Sequence, residues 1–125
     1  MKVPLIYVAG PFTADTAWEI EQNTRRAEDV GAAIVKLGGW PVIPHANTRY
    51  FHGLCDERLA YEGTMRMLEG CDALVALEGW AHSKGATREV QVAECSMMVP
   101  VIYAGSTRWR EELAGFVDAH KSEVL

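Results

Sequence analysis

The sequence predicts an α/β domain built on a parallel sheet with helices on both faces. Three observations predict it. Four short apolar runs alternate with four longer amphipathic segments, and strands that alternate with helices are joined by right-handed crossovers into parallel sheets. The first run, VPLIYVA at Val3 to Ala9, is apolar at every position, as a central parallel strand buried on both faces requires. The run WPVIP at Trp40 to Pro44 carries two prolines, which remove ladder donors and confine it to an edge.

The elements follow in order. Pro4 sits near the start of the first strand, where a missing N–H matters least, and Gly10-Pro11-Phe12 ends it. Thr16-Ala17-Trp18-Glu19 is a capping box, in which Thr16 can bond the third helical amide while Glu19 reaches back. Ile20, Ala27, Val30, Ile34 and Leu37 then share one helical face, and Gly38-Gly39 stops the helix. After the edge strand, His45 to Asp56 reads as a twelve-residue loop of polar and aromatic side chains, and loops that long in a small domain are usually functional. Asp56 can cap a second helix over Glu57 to Glu69, with Leu59, Met65, Met67 and Leu68 as its apolar positions. Gly63 weakens that helix and Gly70 closes it. Ala73 to Leu77 is the third strand. A loop with Trp80, His82, Ser83 and Gly85 leads into a third helix, where Ala86, Val90, Ala93 and Met97 form the buried stripe and Arg88 and Glu89 are placed off it. Val99 to Tyr103 is the fourth strand, and Trp109, Leu113, Phe116 and Val117 mark a last helix. With the first strand central and the second at an edge, the simplest strand order is 2-1-3-4, a flavodoxin-like three-layer sandwich with a sheet of four or five strands. Residues 1–125 make one domain, with no repeats or linkers.

Composition narrows the function classes. Hydrophobic residues make up 49% of the chain and charged ones 23%, ordinary values for a globular protein. No apolar run approaches the length of about 20 residues that a membrane span needs. The first ten residues enter a strand pattern without the basic start and apolar core of a signal peptide. The net charge of −5 disfavours a nucleic-acid polymer as partner, while a local pocket can still take a single nucleoside or nucleotide. Three cysteines, Cys55, Cys71 and Cys95, without close spacing fit a reducing cytoplasm rather than a disulfide framework. His45, His52, Cys55 and Asp56 have metal-ligating chemistry, but their spacing matches no common zinc pattern. No metal or organic cofactor is expected.

In the order 2-1-3-4 the switch point lies between strands 1 and 3, where ligands sit outside the carboxyl ends of the strands. The loop from Gly10 to Thr16 and the loop from Glu78 to Gly85 face each other there. Ser83-Lys84-Gly85-Ala86-Thr87-Arg88-Glu89 has the pattern S-x-G-x-x-x-E. Ser83 can cap the helix, Gly85 admits a ligand close to the backbone, and free amides suit a hydroxyl-rich sugar or an anion. A carboxylate at Glu89 can attack a sugar's anomeric carbon or stabilise an oxocarbenium ion. Acidic residues are also common in first helical turns, where the dipole favours them.

Four short motifs, spread over about residues 5 to 103, go further. They are Ile6-Tyr7-Val8-Ala9-Gly10-Pro11, Pro44-His45-Ala46-Asn47-Thr48, Cys71-Asp72-Ala73-Leu74, and Ser83-x-Gly85-x-x-x-Glu89-x-x-x-Ala93. In this order and at strand ends, they resemble the nucleoside 2-deoxyribosyltransferase superfamily, which includes the 2′-deoxynucleoside 5′-monophosphate N-hydrolases, and within it a small branch without a settled activity. The resemblance implies that Glu89 is the nucleophile that attacks C1′ to form a glycosyl ester. It implies that Tyr7 orients Glu89, that Gly10 and Pro11 form the first pocket wall, and that Ser83 and Gly85 hold the sugar's 5′ side or a 5′-phosphate. A homodimer or larger assembly is implied too, because the superfamily completes its pocket from a neighbouring subunit.

Two positions depart from the pattern. Thr64 stands where the superfamily has an aspartate that positions the sugar or delivers a proton to the leaving base. The nearest acid, Glu62, points about 200° away on a helix. Gln91 stands where a glycine is usual.

Other residues admit two readings. His45 is a base contact or proton donor, or an ordinary loop histidine. Asn47 reads a base edge or makes a turn. Trp80 stacks on a base or packs at a subunit interface. Phe12, a substrate-binding candidate, reads as a base platform or a loop anchor, and Tyr50 and Phe51 admit the same two readings with the anchor as the default. Asp72 reads as a structural hydrogen-bonding residue, Cys71 as buried and inert. The expectation is an enzyme that cleaves or exchanges the N-glycosidic bond of a nucleoside or nucleotide. The rival is a nucleotide-binding or signal-sensing module that kept the pocket without turnover.

Overall fold

Four parallel strands form one sheet in the order β2-β1-β3-β4, in a computed structural model that describes residues 2–51 and 53–123. His52 lies outside the described residues. The strands are β1 (Leu5–Ala9), β2 (Trp40–Val42), β3 (Ala73–Ala76) and β4 (Val101–Tyr103), and the helices are α1 (Ala17–Lys36), α2 (Pro44–Asn47), α3 (Glu57–Glu69), α4 (Lys84–Cys95) and α5 (Trp109–Glu123). A 3₁₀ turn at Trp80–His82 precedes α4. The expected order and the flavodoxin-like α/β architecture are both present, with four strands among the described residues.

The period of two along each strand assigns every core residue to a layer. Ile6 and Val8 of β1 join Ala73 and Val75 of β3 and pack against Ala27 and Ile34 of α1 and Leu113 and Val117 of α5. Tyr7 and Ala9 point the other way, with Leu74 and Ala76, into a second cluster with Met65 and Leu68 of α3 and Val90 and Ala93 of α4. The two faces of β1 thus belong to different helix pairs. β1 presents Ile6 and Val8 to the first cluster, which Trp109 completes, and the Tyr7 phenol to the second.

The caps lie where the sequence places them. Thr16 Oγ1 accepts from the Glu19 amide at 3.1 Å, Asp56 Oδ1 from the Leu59 amide at 2.8 Å and Ser83 Oγ from the Ala86 amide at 3.2 Å; such caps contribute about 1 kcal/mol each. Gly38, at φ +96, provides the left-handed residue that turns the chain after α1. Asp72 is structural, its Oδ2 accepting from the Leu5 amide at 2.8 Å to tie the start of β1 to β3.

Two local expectations need correction. The chain after β2 is not all loop: Pro44–Asn47 forms a short helix with Pro at its first turn, the position where a fixed φ and a missing N–H suit a helix. Glu89 does not lie clear of the α4 stripe. It is three residues after Ala86 and four before Ala93, a spacing that puts it on the flank of the buried face, and it is half-buried.

Gly10 shows how closely the β1 and β3 ends approach. A Cβ there would stand 2.8 Å from Leu77 Cβ and 2.4 Å from Leu77 Cδ1. The first of these atoms cannot swing away, so Gly10→Ala is expected to destabilise the fold by about 2 kcal/mol. Urea unfolding of the two proteins would read this as a lower midpoint at unchanged slope.

Candidate active site

The site is built where the Tyr7 face of the sheet meets the N-terminal half of α4. Tyr7 is fully buried. Its hydroxyl donates a hydrogen bond to Glu89 Oε2. The two residues are 82 apart in sequence, and the pleat of β1 together with the rotation of α4 aims both at one point. Burial pushes the Glu89 carboxyl up to about 7, and the Tyr7 hydrogen bond works against that rise. Burial first, then the charge and hydrogen bond of Glu89, hold the phenol well above its ordinary value. The phenol is therefore protonated near neutral pH, beside a carboxyl whose burial favours its protonated form.

Two further side chains act on the Tyr7 oxygen, Thr64 and Cys71. Thr64, on α3, works against the rise of the phenol and donates its hydroxyl to the Tyr61 carbonyl at 3.0 Å. The Cys71 thiol donates to the Met67 carbonyl at 3.3 Å, and burial with nearby Asp72 pushes it up to about 11, which fits an inert structural cysteine. No Lys, Arg or His among the described residues makes an ion pair with Glu89, and none perturbs its carboxyl.

The Gly10–Pro11 segment after β1 is held by His45, which is 4% exposed. Its Nε2 lies 3.1 Å from the Gly10 carbonyl and 3.0 Å from the Pro11 carbonyl. Both partners only accept, so Nε2 carries the proton. Nδ1 is buried without a protein partner. Burial also holds the imidazole below its ordinary value, against the smaller pull of the two carbonyls. Phe12 packs edge-on against the ring at 5.5 Å, and its carbonyl accepts from Asn23 Nδ2 at 3.0 Å. His45 and Phe12 therefore act here as anchors that fix Gly10 and Pro11.

The remaining sequence candidates divide. Trp80 is half-buried, packs against the Tyr7 cluster and tilts over Tyr103 at 5.6 Å. Ser83 spends its oxygen as the α4 cap but keeps an O–H to donate. Gly85 is exposed, and a Cβ on it would meet nothing within 4 Å, so packing within the chain does not demand a glycine there. Asn47 is exposed at the end of α2 and is not brought to the Tyr7–Glu89 pair by any hydrogen bond described.

Neither of two surface clefts is lined by Tyr7 or Glu89. One, of about 310 Å³, runs along α4 past His82, Ser83, Lys84, Thr87, Arg88 and Gln91. The other, of about 250 Å³, lies across the carboxyl ends of β1, β3 and β4 on the α1–α5 face, between Asn23, Arg26, Glu78 and Arg110. The geometry of the hydrogen-bonded pair is the better guide to chemistry, because empty volume along a helix surface says nothing about reactivity. Reading the sequence alone missed Lys84, Thr87 and Gln91 as lining residues. Their signal was the i, i+3, i+7 spacing of one outward helical face.

A family model described as a domain of unknown function (DUF4406) matches residues 4–103. The match runs from the residue before β1 to the end of β4 and takes in Tyr7, His45, Thr64 and Glu89. No curated protein matches the chain.

Proposed function

The chain belongs to the DUF4406 family, and we propose that it cleaves, or exchanges the base of, the N-glycosidic bond of a nucleoside or nucleoside 5′-monophosphate. The observation that carries this reading is the hydrogen bond from the buried Tyr7 phenol, in the middle of β1, to the Glu89 carboxyl of α4. A carboxylate held in that way is prepared to attack C1′ and retain configuration overall. The phenol occupies Oε2, which leaves Oε1 for the attack. The ester that results passes to water or to a second base. The Ser83 hydroxyl and the amides at the start of α4 receive the sugar's 5′ side. The motif resemblance to nucleoside 2-deoxyribosyltransferases supports the same assignment, and we propose with it a homodimer or larger assembly working in the cytoplasm. Among the described residues no helix is long and apolar enough to cross a membrane.

The test is a panel of nucleosides and 5′-monophosphates followed by chromatography of the free base. Release by the wild-type chain that vanishes in Glu89→Ala, with binding retained, supports the reading. A nucleotide-binding module without turnover draws support from the α4 cleft, whose polar lining carries His82, Lys84 and Arg88 and no carboxylate. Binding by both proteins without base release by either would favour that module.

The pH profile gives a sharper signature. Attack needs ionised Glu89, so kcat/KM is expected to rise with pH through about 7. Tyr7 stays protonated over this range. Tyr7→Phe keeps the burial and removes the hydrogen bond that favours the carboxylate. The ascending limb should then move to higher pH by about one unit, as expected for a hydrogen bond to a charged group of about 1.5 kcal/mol. An unmoved limb would take Glu89 out of the rate-determining chemistry.

A further inference from the structure

Breaking an N-glycosidic bond requires a destination for the electron pair that leaves with the base. A neutral purine or pyrimidine departs as an anion unless a proton meets it, and an acid placed there supplies about 10²–10⁴-fold in rate. Among the described residues of one chain, the groups bonded to or acting on the Tyr7–Glu89 pair include no such acid. The Tyr7 hydroxyl is committed to Glu89 itself. Besides Glu89, the side chains acting on Tyr7 are an alcohol, Thr64, and a buried thiol, Cys71. His45 has its one N–H on the Gly10 and Pro11 carbonyls. Glu62, on the same helix as Thr64, pairs with Arg58 at 3.2 Å on the exposed side.

A second observation points the same way. Glu89 is half-buried, yet among the described residues no cation pairs with it. A carboxylate taken out of water without a positive partner is unfavourable. A ligand that brings a positive charge next to C1′ supplies that partner, and it removes the need for an acid.

We propose that the substrate is a cationic N-glycoside, a nucleoside or nucleotide whose base is a quaternised aromatic ring such as an N-glycosyl pyridinium. This rests on Glu89 being the glycosyl-accepting nucleophile. The bond from Glu89 Oε1 to C1′ forms as the bond from C1′ to the ring nitrogen breaks. The electron pair of that bond goes to the nitrogen, cancels its charge and frees a neutral pyridine with no proton required. Water then attacks C1′, the ester bond returns its electrons to Glu89, and one proton passes to solvent for each turnover.

The experiment compares matched sugars on the full chain. The probes are nicotinamide riboside and its 2′-deoxy form against inosine and 2′-deoxyinosine, each with and without a 5′-phosphate. Free base is followed by chromatography and protons by an indicator dye. The expected result is kcat/KM on the order of 100-fold higher for the pyridinium compounds, the low end of what a missing acid forfeits. Their cleavage should release one proton per base and disappear in Glu89→Gln. Thr64→Asp places a carboxyl beside the phenol and should improve neutral-base cleavage about tenfold relative to pyridinium cleavage. If the wild-type chain cleaves inosine compounds as well as pyridinium ones, through Glu89, the cationic-substrate inference is overturned and the nucleophile reading stands. If no compound is cleaved, or pyridinium cleavage survives Glu89→Gln, both fall. An unchanged ratio in a folded Thr64→Asp chain also overturns the inference.

Discussion

Glu89→Gln is expected to lower kcat/KM for base release by about 10³-fold or more, the scale seen when a nucleophile is removed, and to make the protein more stable above neutral pH. Both effects have one origin. Burial pushes the Glu89 carboxyl from 4.5 up to about 7. The folded chain therefore binds a proton between these values more tightly than the unfolded chain does. The stabilisation that this gives is fully present below the unfolded value and is lost as pH rises through about 7. At pH 8 the folded protein holds a carboxylate that the unfolded chain would solvate better, and at about 1.4 kcal/mol per unit the penalty is on the order of 3 kcal/mol. Glutamine keeps the shape and still accepts from Tyr7, but it does not titrate. Thermal unfolding should show the variant above wild type at pH 8 and the gap closing toward pH 4. A constant gap would mean that Glu89 is ordinarily solvated and that the pair is not strained toward reaction. Stability spent on a group that the fold would rather protonate is common at catalytic sites.

The contrast between Tyr7 and Glu89 shows what the sequence could carry. Tyr7 sits in a run that is apolar at every position, and the pleat alone places it on the face opposite Ile6 and Val8. The caps at Thr16, Asp56 and Ser83 were equally legible, because a side chain reaching an amide three residues on is local chemistry. Glu89 was legible as a carboxylate near a helix start but not as a half-buried one. The stripe of Ala86, Val90 and Ala93 reads as complete without it, and only the tertiary position of Tyr7 draws the flank inward. Thr64 presents the same difficulty. Nothing local says that it bears on a phenol 57 residues earlier in the chain. His45 was ambiguous for another reason. A histidine after a strand suits a ligand contact and a backbone anchor equally, and the decision lies in where the Gly10 and Pro11 carbonyls point. The helix at Pro44–Asn47 was hidden because its four residues are too few for any periodicity to show.

His45→Ala is expected to destabilise the fold by about 3 kcal/mol, since it deletes a buried ring and leaves two carbonyls without their donor. Base release should fall with it, because His45 holds Gly10 and Pro11, the segment proposed as the first pocket wall. His45→Gln, which keeps an N–H donor in a similar volume, should recover part of both losses. The pH dependence separates this role from proton transfer. Burial lowers the His45 imidazole from 6.5. The unfolded chain then takes up a proton on acidification that the folded chain refuses, so the stabilisation is present above 6.5 and is lost as pH falls below it. This slope runs against that of Glu89, whose contribution falls as pH rises from 4.5 through about 7. In wild type the two partly cancel between pH 4.5 and 6.5. Removing the titrating imidazole uncovers the Glu89 slope, so the stability advantage of wild type over His45→Gln should shrink as pH falls below 6.5. If the advantage stays constant while activity acquires a new dependence near 6.5, His45 is titrating in catalysis instead of anchoring the wall.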